Sequence, residues 1–194
     1  MTRDGSGALE QPVDGRRLKG ERRKKELIEA TLRVVARDGV AGVSHRTVSR
    51  EAGQPATAAA YYFAGIADLL TAALTACMDE DAERMRRLAD ASAAGADGVR
   101  ALAELMARVV RDPGRLLAEY ELYLLAARDE ALRGPTGRWL DAVAGFVRRH
   151  TDDPARVDVA VAAVDGLLLQ ALLTDVVPTA DRFEAALRVV LPKP

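Results

Sequence analysis

The chain has 194 residues, with 28 Lys and Arg against 29 Asp and Glu, one cysteine and a net charge of −1. One cysteine excludes a disulfide framework and a cysteine-rich zinc site, and two histidines, His45 and His150, argue against a histidine metal centre, so neither metal nor cofactor is expected. No apolar run reaches the roughly 20 residues that span a bilayer, and the opening Met1-Thr2-Arg3-Asp4-Gly5 lacks the apolar stretch of a secretory signal, so the expectation is a cytoplasmic protein without a membrane partner.

Residues 1–20 are rich in Gly, Asp and Arg and read as a flexible basic extension. From Glu21 the spacing turns helical: Leu27, Ile28, Thr31, Leu32 and Val35 recur at three and four residues, and Gly39 suits a left-handed cap. Ser44 reads as the N-cap of a short helix from His45 to Ala52, which Gly53 closes. Pro55 suits the first turn of a further short helix with Ala56 to Tyr62 inside it. After Gly65 an apolar stripe from Ile66 through Leu69, Leu70, Ala73, Leu74, Cys77, Met78, Met85 and Leu88 predicts a helix to about Ala91. Breaks at Gly95–Gly98, Asp112–Gly114, Gly134–Gly137 and Asp152–Pro154 separate helical stretches at 99–111, 115–132, 137–150, 156–176 and 180–191. No segment alternates with β-branched enrichment. The predicted class is all-α with about nine helices: a three-helix domain over 21–65 and a helical domain over 66–194.

Charge divides along the same line. Residues 1–65 hold 12 basic and 8 acidic side chains, and residues 15–50 hold 11 and 4. A basic head on an acidic body points to a nucleic acid or a membrane surface touched by one end only. Enzyme motifs are missing: there is no Gly-rich phosphate loop, no Gly-x-Ser-x-Gly turn and no His-Glu-x-x-His. The expectation is a protein that is not an enzyme.

Two short helices joined by a glycine turn behind a basic helix make a helix-turn-helix pattern. With the capping Ser44, the turn Arg50-Glu51-Ala52-Gly53, the triplet Tyr61-Tyr62-Phe63 and Asp68-Leu69-Leu70 opening the next helix, the segment over 22–74 resembles the DNA-binding region of the TetR family of bacterial transcriptional regulators. The resemblance implies a DNA-facing set of Arg22, Lys24, Ser44, His45, Arg46, Gln54, Pro55, Ala56, Thr57, Ala58, Tyr61 and Tyr62, with Phe63 plugging the small core. Two positions depart from the family pattern: Ala60 stands for the usual tyrosine and Ile66 for the usual lysine. The recognition segment carries no charge, so base reading falls to Gln54, the Thr57 hydroxyl and alanine contacts with thymine methyls, with His45 and Arg46 beside them. Affinity would then lean on Arg16, Arg17, Lys19, Arg22, Arg23, Lys24 and Lys25 through phosphates; the other reading of that run is a solvated tail.

The stretch over 159–173 is apolar on nearly all faces and must be covered. The resemblance implies a dimer through the last two long helices, with Ala162, Gly166, Leu169, Leu173, Phe183 and Leu187 as interface residues. Asp165 in that helix must be paired, hydrogen-bonded or protonated, by a structural partner or a ligand. The resemblance also places a pocket among the middle helices, for which Cys77, Met78, Met106, Tyr120, Tyr123, Trp139, Phe146 and Asp165 are candidates; each also fits ordinary core packing. The function so implied is a ligand-responsive repressor that binds a palindromic double-stranded DNA operator as a homodimer and is released by a small, mostly apolar effector. A regulator controlled by a protein partner, and a helical small-molecule binder without DNA, are the alternatives.

Overall fold

The computed structural model describes residues 12–191, with side chains from Gly15 onward. Nine α-helices and two 3₁₀ turns carry it, and no strand occurs among the described residues. They are α1 Pro12–Asp38, α2 His45–Glu51, α3 Ala58–Tyr62, α4 Ile66–Ala93, α5 Gly98–Val109, α6 Pro113–Leu125, α7 Arg133–Val147, α8 Pro154–Leu172 and α9 Ala180–Val190. The 3₁₀ turns are Val40–Gly42 and Glu130–Leu132.

The ends of these helices follow local chemistry. Gly39 (φ 71°) and Gly53 (φ 64°) take the left-handed conformation that side chains resist, and each turns the chain at the end of a helix. Ser44 and Thr47 cap α2 reciprocally: the Ser44 hydroxyl accepts the Thr47 amide at 3.0 Å, and the Thr47 hydroxyl accepts the Ser44 amide at 2.9 Å. Asp97, Asp112, Asp153 and Thr179 cap α5, α6, α8 and α9.

Four boundaries differ from the sequence pattern. Helix α1 begins at Pro12 rather than Glu21, so residues 12–20 of the expected extension are helical, while 1–11 lie outside the described residues. Arg, Lys and Glu are good helix formers, and a proline fits the first turn, where its missing amide costs nothing. Helix α3 starts at Ala58; Pro55, Ala56 and Thr57 form the turn before it, closed by the Ala58 amide on the Pro55 carbonyl at 2.8 Å. The expected break at Gly134–Gly137 lies inside the first turns of α7, which Pro135 again tolerates; the chain breaks instead at Ala126–Asp129. Helix α8 ends at Leu172 and not at 176.

Two hydrophobic cores result, and α4 runs through both. The first joins Leu27, Val34, Val48, Ala59 and Phe63 of the head to Leu69, Leu74 and Cys77 of α4 and to Ala118 and Leu122 of α6. The second joins Met85 of α4 to Leu102 and Met106 of α5, Phe146 of α7, Val164 of α8 and Phe183 and Leu187 of α9. Trp139 packs against both. Packing through α4 and α6 therefore joins the head to the body.

Candidate nucleic-acid interface and effector cavity

The head presents α2, the 54–57 turn and α3 on one side. Its internal bracing determines what is left to face outward. Ser49 is fully buried and its hydroxyl accepts the Ala59 amide at 3.0 Å, fixing α3 against α2. Glu51 receives Arg33 Nε at 2.9 Å and an Arg37 guanidinium nitrogen at 2.8 Å, which clamps α2 to α1. The two arginines hold the Glu51 carboxyl below its ordinary range, Arg37 most strongly. Neither role has a signal in local periodicity, because both partners are distant in sequence.

Among the residues expected to face DNA, Arg46, Pro55, Ala56, Thr57 and Tyr61 are exposed. Tyr61 is 82% exposed and meets Tyr62 edge-on at 5.0 Å. Ser44 spends its hydroxyl on the cap, and Ala58 and His45 are half-buried, with His45 Nε2 enclosed and without a partner among the described residues. Gln54 is turned away from the surface. Its amide nitrogen donates to the Arg23 carbonyl and to Glu26, both at 3.0 Å, which ties the turn to α1. Lys24 Nζ sits 5.5 Å over the ring of Phe63, and Arg22 stays exposed beside Glu26 at 3.5 Å. Arg22, Lys24, Arg46, Thr57 and Tyr61 are thus the polar residues of this set that are exposed, and Arg50, also exposed, lies on the same short helix as Arg46.

The body holds a partly open cavity of about 60 Å³ between α4, α5, α6, α7 and α8. Met78, Met106, Tyr120, Tyr123, Trp139 and Asp165 come together in its wall, with Met85, Leu102, Leu116 and Leu168. Cys77 and Phe146 do not. Both are fully buried in the cores, and burial pushes the Cys77 thiol far above its ordinary range, so it stays a thiol.

Asp165 lies at the aromatic end of the cavity. Its carboxylate accepts Trp139 Nε1 at 3.4 Å and the Tyr123 hydroxyl at 3.5 Å, and the Tyr120 hydroxyl donates to its backbone carbonyl at 2.8 Å. No cationic side chain of the described residues pairs with it. Burial raises its carboxyl above the ordinary range, against the pull of those two donors.

The lining also includes charged residues that sequence reading missed: Asp81, Arg84 and Glu119. Arg84 pairs with Asp81 and with Glu80. Arg115 binds Glu119 at 2.9 Å, Glu80 at 3.2 Å and Glu29 of α1 at 3.3 Å. Burial lifts Asp81 and Glu119 above the carboxylate range, and the charge of Asp81 lifts Glu119 further. Their i,i+3 and i,i+4 spacings look like a solvated face; only the packing of α4 on α6 reveals Glu119 as buried and Asp81 and Arg84 as half-buried.

The α8 residues Ala162, Leu169 and Leu173 are exposed, with Val159 on the same stripe, and a Cβ added at Gly166 would meet nothing within 4 Å. Phe183 and Leu187, expected at an interface, pack inside the chain's own second core, each 1% exposed. Helix α9 instead turns Ala185 and Val189 outward, the latter 82% exposed.

No group of three or more His, Cys, Asp and Glu side chains among the described residues could hold a metal ion, and no helix among them is long and apolar enough to cross a membrane.

The model for the tetracyclin repressor-like C-terminal domain matches residues 93–193. The multidrug binding protein EbrR, in a crystal structure with imidazole, is 36% identical, with a TM-score of 0.71 over 89% of this chain and 92% of that one. Other structures of it, 35–36% identical, hold ethidium and malachite green. A TetR-family member from Streptomyces coelicolor A3 is 35% identical, with a TM-score of 0.73 over 88% of this chain and 99% of that one. Among curated proteins, the nicotine-responsive transcriptional repressor HdnoR of Paenarthrobacter nicotinovorans is 31% identical over 112 residues, 55% of this chain. That match spans 56% of the length of HdnoR, little more than half.

Proposed function

We propose that this chain, which belongs to the TetR family of transcriptional regulators, is a dimeric repressor released from its operator by a lipophilic organic cation. The observation that carries the effector class is Asp165: a carboxylate without a counter-ion among the described residues, held by long hydrogen bonds from Trp139 and Tyr123 in a wall of Met and Leu side chains. An apolar cation supplies the missing charge and stacks on the same rings. Ethidium and malachite green, held by the similar EbrR, are aromatic cations of this kind. At about 60 Å³ the cavity lies well below the ~300–1,000 Å³ of drug-sized pockets, so a larger effector must widen it. Met78, Met85 and Met106 line it and repack readily.

The mechanism follows from which helices bound the cavity. Helices α4 and α6 form part of its wall, and both belong to the core of the head. An effector that spreads them moves α2 and α3, and a dimer whose recognition elements are mis-spaced no longer matches half-sites about 34–36 Å apart. A DNA regulator of this kind acts in the cytoplasm.

The chain's sole tryptophan, Trp139, lies in the cavity wall and reports occupancy directly. Malachite green is expected to quench it saturably. Tetraphenylphosphonium, a lipophilic cation that does not intercalate, is expected to release a palindromic fragment from the gene's own upstream DNA. Retention of that fragment equally with and without cation sinks the effector proposal. The small resting cavity favours one other reading, control by a protein partner. Intact operator binding with a Trp139 signal that no lipophilic cation moves selects it.

A further inference from the structure

Helix α1 carries more charge than its packing uses. Between Arg16 and Lys25 it holds seven cations and one carboxylate, Glu21. All seven are exposed. Arg17 approaches Glu21 at 3.8 Å and Arg22 approaches Glu26 at 3.5 Å. No carboxylate of the described residues lies within ion-pair distance of Arg16, Lys19 or Arg23.

This is not how the chain builds a merely solvated helix. On the exposed side of α4, Arg86 pairs with Glu83 at 2.9 Å and Arg87 with Glu83 at 3.4 Å. On α1, like charges face each other three and four residues apart, as in Arg16 with Lys19 and Lys19 with Arg22 and Arg23, and such pairs destabilise an isolated helix. An anionic partner reverses that penalty.

The position of the segment identifies that partner. Gln54, in the turn before α3, bonds the Arg23 carbonyl, and a Cβ at Gly20 would lie 3.8 Å from the Tyr62 hydroxyl at the end of α3. The basic stretch therefore starts beside the recognition elements. From Gly20 back to Pro12 the helix continues for about 12 Å at ~1.5 Å per residue, a length of roughly three to four base pairs at ~3.4 Å each. A lipid surface fits poorly, because it needs an apolar face and Leu18 is the one exposed large apolar side chain of the segment.

We infer that residues 16–25 of α1 form a second DNA-contact element, a helical arm that holds phosphates flanking the half-site read by α2 and α3. The inference rests on the DNA-binding reading above. It adds contacts that a helix-turn-helix does not require and accounts for a recognition segment without charge.

The test uses the full chain and two duplexes carrying the same upstream palindrome, one ending at the half-sites and one with ten flanking base pairs on each side. Wild type should prefer the longer duplex. The variant Arg16→Ala/Arg17→Ala/Lys19→Ala should lose that preference. Its log K against log salt slope should fall by about 0.9 for each phosphate no longer neutralised, so by about 5 for a dimer in which each subunit gives up three. The variant Arg16→Lys/Arg17→Lys, which keeps the charge, should retain the slope. A triple variant with unchanged slope and unchanged length preference overturns the arm and leaves operator binding standing. Wild type that fails to bind either duplex overturns the DNA reading and the arm together. Preferential binding of the wild type to anionic phosphatidylserine vesicles over the long duplex overturns the arm in favour of a membrane.

Discussion

Each oxygen of the Asp165 carboxylate accepts from one aromatic donor, Trp139 Nε1 at 3.4 Å and the Tyr123 hydroxyl at 3.5 Å, both near the outer limit of a hydrogen bond. Such contacts compensate little of the cost of burying a charge, and the raised carboxyl records the remainder. The sign for stability follows. The charged form is worse placed in the folded chain than in the unfolded one, so this group favours folding below the ordinary aspartate pKa. That advantage disappears as pH rises through its raised folded value. At pH 7 Asp165 opposes folding. Asp165→Asn should raise the melting temperature there, by about 2–4 °C for each kcal/mol relieved, and should flatten stability against pH above about pH 4. The same substitution should weaken a lipophilic cation by about 2 kcal/mol, roughly thirtyfold, while leaving a neutral apolar ligand unchanged. Calorimetric melting and Trp139 titration measure the two effects. Equal weakening of charged and neutral ligands would show that Asp165 only shapes the cavity.

Helix α6 shows how a cavity event reaches the head. Its Glu119 and Leu116 face the cavity, its Ala118 and Leu122 belong to the core of the head, and its Glu121 accepts the Val40 amide at 3.0 Å in the turn between α1 and α2. Arg115 ties the same helix to Glu29 of α1. Glu121→Ala leaves the half-buried Val40 amide without its acceptor, at a cost of about 1–2 kcal/mol, but touches no cavity wall. Effector affinity in the absence of DNA should stay the same, while the effector-induced drop in operator affinity shrinks severalfold, within the usual coupling range of about 1–3 kcal/mol. An unchanged drop in gel-shift titrations would remove α6 from the route. The path was not legible in the sequence, although both its ends were. The apolar stripe from Ile66 marked α4 almost to its last residue, and Ser44, Gly39 and Gly53 marked the helix-turn-helix, because caps and periods are local signals. Gln54, Ser49, Glu51 and Glu121 act on residues far away in the chain, and nothing in their neighbourhood says whether a polar side chain faces water, DNA or another helix. Pro135 shows the complementary limit: a Gly-Pro-Thr-Gly run has the composition of a break, yet its proline sits where a helix start accepts it.

At the scale of the whole molecule, one feature of α8 serves no purpose within a single chain. Val159, Ala162, Gly166, Leu169 and Leu173 repeat at three and four residues on the side away from the cavity, whereas Val157, Ala160, Val164 and Leu168 form the buried side. A helix apolar on two opposite faces requires two covers, and the body supplies one. Gly166 adds a sharper argument. A glycine inside a helix costs about 1 kcal/mol relative to alanine, and no atom lies within 4 Å of a Cβ placed there, so nothing in the chain itself demands it. Close approach of a partner backbone does. Gly145 of α7 is equally open and lies off this stripe, which makes it the control. If the stripe is the dimer interface, Gly166→Leu should keep or raise the stability of the monomer fold and yet shift sedimentation from dimer to monomer at micromolar concentration. Operator affinity should fall by more than tenfold, because a monomer engages one half-site only. Gly145→Leu should leave sedimentation and operator affinity as in wild type. A dimer that survives Gly166→Leu with undiminished operator affinity would move the interface away from α8 and leave the apolar stripe to some other partner.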